Sequence, residues 1–111
     1  QIANEGLGLL YASNGITTLV EGDALALGLE LYPNPSQGEL NIAFRNPVAQ
    51  PVQIALYSLE GRLMHTISGA ETLQAGPVNL SWDAGNLPSG VYLLRMVTSE
   101  AVYSLRWMLL R

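Results

Sequence analysis

The chain is predicted to fold as an all-β sandwich of seven strands with immunoglobulin-like architecture. Three observations carry this expectation. Apolar and polar residues alternate at period two through most segments after residue 28, as half-buried strands require. Turn-forming clusters interrupt those segments at the spacing of roughly 8–12 residues expected of a β-sandwich. No amphipathic helical period persists beyond one or two turns. Hydrophobic residues make up 49% of the 111 residues and charged residues 13%, so the chain can bury a core and does not read as disordered.

Residues 1–20 stand apart. "LGLLYASNGITTLVEGD" sets two apolar stretches around Asn14-Gly15, the dipeptide best suited to the φ > 0 positions of a type I′ hairpin. A lone hairpin is marginal in water, so it reads either as the end of an upstream β-domain, in the manner of a propeller, or as packing on the domain downstream. Residues 21–28 read as a linker, and residues 29–111 as the domain. The first residue is Gln1, so the sequence is read as a fragment or a processed product.

Within the domain, Leu29–Tyr32 is the first strand, followed by "PNPSQG" and then Gly38–Arg45, with Leu40, Ile42 and Phe44 on one face. "NPVAQP" breaks that strand. Pro51–Ser58 carries Val52, Ile54 and Leu56 at period two, and "LEGR" then turns the chain with Gly61 at the position expected to need φ > 0. Arg62–Ser68 returns, "GAETLQAGP" makes a longer connection, and Val78–Asp83 is the fifth strand. "AGNLPSG" turns into Gly90–Thr98, where Tyr92, Leu94 and Met96 are expected inward and Arg95 outward. Ser99-Glu100 reverses the chain into Ala101–Leu110. Phe44, Trp82, Tyr92 and Trp107 supply the bulk of a dense core.

The inventory is poor in chemistry. There is no cysteine, which excludes disulfides, zinc–thiolate sites and thiol catalysis. His65 is the single histidine; a triad or a multi-histidine metal site cannot be built from it. It shares a predicted strand face with Leu63 and Ile67 and reads as a half-buried filler. The nine acidic residues are scattered over turns and connectors, which argues against a paired-carboxylate site. Asp83 with neighbouring carbonyls is the best candidate for calcium, unsupported by any run of alternating acids. "NEGLGLL" lacks the spacing and helix of a phosphate loop, and "NLS" at Asn79 is a glycosylation tripeptide within a predicted strand. No lysine is present and the five arginines are dispersed, which with a net charge of −4 excludes a nucleic-acid surface. The longest apolar run is far too short to cross a bilayer as a helix, and no export signal opens the chain. No cofactor or metal is expected, and no enzymatic activity.

The turns carry the information. Tyr32-Pro33-Asn34-Pro35-Ser36-Gln37-Gly38 is a Y-P-N-P-x-x-G opening. Leu56-Tyr57-Ser58-Leu59-Glu60-Gly61-Arg62 is an apolar-Tyr-x-x-x-Gly-Arg hairpin. Leu87-Pro88-Ser89-Gly90-Val91-Tyr92 is an L-P-x-G-x-Y element. In this order, before a final strand, they resemble the C-terminal sorting domain of the Bacteroidetes type IX secretion system over about residues 29–111. Ser58 stands where that family usually has Asp, and "SLRWMLLR" replaces its lysine- and valine-rich ending.

The resemblance implies a non-catalytic signal that directs its parent protein across the outer membrane, through the periplasm, to the external cell surface. It implies outer-membrane translocon and shuttle proteins as partners, and a surface signal peptidase cutting within about Glu21–Glu30. The stiff proline pair is expected to keep that connector out of the sheet. The recognition strand is placed at Arg106, Trp107, Met108, Leu109, Leu110 and Arg111, because both faces of Ala101–Arg111 are apolar; self-association through this strand is a further expectation. An uncleaved anchor on a secretion-apparatus component is a second reading. A fibronectin-like adhesion or carbohydrate-binding module presenting Trp82 or Trp107 is a third.

Overall fold

A computed structural model describes residues 20–111. The hairpin expected over residues 1–20 lies outside the described residues apart from its last residue. The strands are β1 (Val20–Glu21), β2 (Glu30–Tyr32), β3 (Glu39–Asn46), β4 (Gln50–Ser58), β5 (Leu63–Leu73), β6 (Gly76–Asp83), β7 (Gly90–Val97) and β8 (Ala101–Leu109). Each of the seven predicted strands is present, and β1 precedes them. Sheet A runs β1-β8-β7-β4-β5 and sheet B runs β2-β3-β6. All neighbours are antiparallel except β1, which lies parallel to β8. This two-sheet sandwich is compatible with immunoglobulin-like architecture.

The period-two pattern fills the space between the sheets as expected. Leu40, Ile42 and Phe44 from β3 meet Val52, Ile54 and Leu56 from β4, Tyr92, Leu94 and Met96 from β7, and Trp107 and Leu109 from β8, all buried. Arg95 is exposed, so the register of β7 is the predicted one. Trp107 is completely buried, with the rings of Trp82 and Tyr92 at 6.4 and 6.3 Å. Half-buried Trp82 lies between Trp107 and His65, so the two tryptophans form part of the packing and present no joint platform to solvent.

Three expectations need correction. The long connection "GAETLQAGP" is mostly strand: β5 and β6 absorb it and leave Gln74 and Ala75 as the joint. Register shifts against β4, with Ala70 at φ 71°, let the glycine- and alanine-containing stretch stay in the ladder. One of these shifts also separates His65 from Leu63. Leu63 pairs with Tyr57 on the outer face, whereas His65 pairs with inward-facing Leu56. At the sandwich rim, His65 is exposed and stacks on Trp82 at 4.7 Å, so it is not a half-buried filler on the face of Leu63.

The third correction concerns the connector. Residues 21–28 do not stay clear of the sheet. Val20 and Glu21 pair with Ala101 and Val102, and Gly22 N–H donates to the Val102 carbonyl at 2.7 Å. A Cβ at Gly22 would stand 2.2 Å from the Tyr103 ring, so only glycine fits. Asp23 then caps a 3₁₀ turn, Ala24–Leu27, by accepting the Leu25 N–H at 3.0 Å; Gly28 closes the turn at φ 64°. Ala24 and Leu27 pack on the core and Leu29 is buried in it. The prolines stiffen the chain after β2, which leaves the residues before β2 free to dock.

Candidate recognition surface

Antiparallel connection brings every sequence motif to one end of the sandwich. The end of β2, the starts of β3, β5 and β7, and the ends of β4, β6 and β8 all lie there. The chain enters the sheet at the opposite end, beside the start of β8.

At the motif end, "YPNPS" covers the outer edge of β8. Two prolines cannot supply a continuous ladder, so the Asn34 side chain substitutes for backbone. Its Nδ2 donates to the Arg106 carbonyl at 3.1 Å and its Oδ1 accepts the Met108 N–H at 2.9 Å. Ser36 then continues as true backbone pairing, donating to the Met108 carbonyl at 2.8 Å and accepting the Leu110 N–H at 2.7 Å. The Pro33 carbonyl takes the Trp107 indole N–H at 3.2 Å. The Tyr32–Pro33 and Asn34–Pro35 peptide bonds are cis.

The other motifs brace the same end. Arg111 donates its N–H to Ser89 Oγ at 2.9 Å, its Nε–H to the Leu87 carbonyl at 2.8 Å, and an Nη2–H to the Gly85 carbonyl. The Tyr92 hydroxyl donates to the Pro88 carbonyl at 2.5 Å and fixes the "LPSG" loop over the core. In the β4–β5 hairpin, Ser58 accepts the Arg62 N–H on its Oγ at 3.2 Å and the Gly61 N–H on its carbonyl at 3.0 Å. Serine therefore does what an aspartate would do there. Gly61 has φ 90°.

The expected recognition strand divides by face. Trp107 and Leu109 are fully buried, so their side chains belong to the core. Arg106, Met108 and Leu110 are exposed. Ladder pairing sets Met108 beside Val91, and Arg106 in a row with Leu93, Tyr57 and Leu63. Leu63 is 53% exposed and Met108 38%, while Tyr57, Val91 and Leu93 are half-buried. Arg95 and Arg106 are the charged residues of β4, β7 and β8 on this face. Sequence reading picked out Arg106, Met108 and Leu110 but missed Leu63, Val91 and Leu93, which join them only through the ladder.

The outer face of sheet B differs. Glu30, Tyr32, Glu39, Asn41, Arg45, Asn79, Ser81 and Asp83 make it polar, with acids outnumbering the single arginine. Among the described residues, no cluster of three His, Cys, Asp or Glu side chains could hold a metal ion. Asp83 uses Oδ1 to accept the Gly85 N–H at 2.8 Å.

The edges of β8 are largely occupied. β7 pairs along one edge, and Gly22, Asn34 and Ser36 occupy most of the other. What β8 offers is a face.

No curated protein matches the chain. Residues 30–109 match the family described as the secretion system C-terminal sorting domain. That match covers all strands from β2 to β8 and the motifs that cover and brace the end of β8. The chain therefore belongs to the type IX secretion C-terminal sorting domain family and is a sorting signal for export across the outer membrane.

Proposed function

We propose that the outer face of sheet A is the surface by which this domain engages the outer-membrane translocon and shuttle proteins of type IX secretion, delivering its parent protein to the external cell surface. One observation carries the reading: Tyr57, Leu63, Val91, Leu93 and Met108 form an apolar strip on an exposed sheet face where the charges of β4, β7 and β8 are the arginines Arg95 and Arg106. Exposed apolar patches mark interaction sites. A signal shared by unrelated proteins must also be carried by the domain alone. The buried Trp107 and Leu109 then act indirectly, by holding β8 in the sheet.

The test is an exported reporter fused to residues 20–111 in a host with the secretion system. Leu93→Glu with Met108→Glu should abolish surface display while the isolated domain melts as the wild type does. Display that survives the double substitution would remove this face from recognition.

Cutting by a surface peptidase within Glu21–Glu30 would require release of that segment, since it is paired to β8 and packed on the core. Gly22→Ala forces the segment off the Tyr103 ring and should accelerate cleavage of the fusion. Unchanged cleavage would show that docking does not gate the cut.

A further inference from the structure

The strand edges of the two sheets are not equally protected. Exposed edges template pairing with other chains unless they are short, bulged, charged or covered. β2 has three residues. β5 shifts register against β4 at three places and carries Ala70 at φ 71°. The outer edge of β8 is covered by Gly22, Asn34 and Ser36. β6 is different: it has eight residues, in unbroken register with β3 from Asp83 opposite Glu39 to Gly76 opposite Asn46. Its sequence, GPVNLSWD, has no charge before Asp83.

The backbone direction comes from one hydrogen bond. Ala84 N–H donates to the carbonyl of Gly38, directly across from it, at 2.8 Å. Alternation then turns Gly76, Val78, Leu80 and Trp82 toward β3, and the N–H and carbonyl groups of Asn79, Ser81 and Asp83 toward the outer edge. Pro77 faces the same edge, where its missing N–H costs no bond to β3.

We propose that β6 pairs antiparallel with β6 of a second copy, centred on Leu80, and joins the two B sheets into one. This register sets Asn79 opposite Ser81 of the second copy, twice by symmetry, and Asp83 opposite Pro77. On the inner face, Leu80 meets Leu80 and Val78 meets Trp82. Centring on Asn79 would leave Asp83 outside the ladder; centring on Ser81 would leave out Pro77. The charges agree with the chosen register. Arg45 is the partner of Pro77 and Glu39 the partner of Asp83, so each cross-interface row holds Arg45 of one copy and the Asp83 and Glu39 carboxylates of the other. Within one copy those two acids face each other directly, an unfavourable arrangement. The pairing is isologous and closes as a dimer. It leaves the outer face of sheet A free and is independent of the sorting mechanism.

Sedimentation equilibrium of the chain tests the proposal. The wild type should show a concentration-dependent dimer. Asn79→Lys with Ser81→Lys sets lysines opposite lysines and should be monomeric; Asn79→Asp with Ser81→Asp should be monomeric for the same reason. An equimolar mixture of the two should form heterodimers. Ser81→Pro, which deletes an edge N–H in each copy along with the Ser81 hydroxyl bond to Asn41 Oδ1, should weaken association by about tenfold, and Ser81→Ala, which loses the hydroxyl alone, should dimerise as the wild type does. Thermal melts verify that each variant is folded. A monomeric wild type, charged variants that dimerise as the wild type does, or a mixture that stays monomeric would each overturn the proposal.

Discussion

The two ends of the sandwich are each held by an asparagine, and they are held differently. At the motif end, exposed Asn34 bonds the Arg106 carbonyl and the Met108 N–H. At the opposite end, Asn46 is buried at 1% exposure and its Nδ2 donates to the carbonyls of Leu73 and Gln74, both at 3.0 Å. Its Oδ1 accepts from Gln50 Nε2 at 2.8 Å, and Gln50 Oε1 in turn accepts the Ser99 N–H and hydroxyl at 3.2 and 2.6 Å. One asparagine with its glutamine thus ties the β3–β4, β5–β6 and β7–β8 connections together. Water can replace the partners of an exposed group but not those of a buried one. Of the two asparagines, the one within the family motifs is therefore the less costly to remove.

At Trp107 the order of the two asparagines is reversed, because this motif-end side chain is apolar and fully buried. Trp107→Ala empties a fully buried site and removes the indole donor to Pro33; a loss of about 3–5 kcal/mol is expected in urea unfolding. Next comes Asn46→Ala, which strands Gln50 and two carbonyls and should cost about 2–3 kcal/mol. Gly61→Val should cost about 1–2 kcal/mol, because φ 90° strains a β-branched residue. Its melting temperature, set against that of Gly61→Asn, separates backbone strain from lost contacts.

Asn34→Ala should cost the least, about 1 kcal/mol or below. A cost equal to that of Asn46→Ala would mean that the motif end is as dry as the other. The two ends share no side-chain partners, so the Asn34→Ala/Asn46→Ala double variant should be additive within about 0.5 kcal/mol.

A second contrast separates an apolar strip flanked by Arg95 and Arg106 on the outer face of sheet A from a polar outer face on sheet B whose charges are Glu30, Glu39, Asp83 and Arg45. Of the first, Arg106, Met108 and Leu110 were legible because they are close together along the last strand. Leu63, Val91 and Leu93 were not, because their neighbours come from three strands far apart in sequence.

Local chemistry determined the strands, their turns and the inward residues: alternation on a pleated chain assigns faces, and Asn, Gly and Pro restrict φ and hydrogen bonding wherever they occur. The same local signals placed Gly61 at positive φ and Arg95 outside. Only the tertiary structure decided the rest. Whether Gly22 docks depends on the Tyr103 ring 81 positions later, and whether β8 has a free edge depends on the side chain of Asn34. A bulge, invisible in composition, moved His65 off the face of Leu63. These outcomes depend on which distant backbone group a donor meets, and pairing between remote segments is set by the packing of the whole sandwich rather than by the residues beside it in sequence.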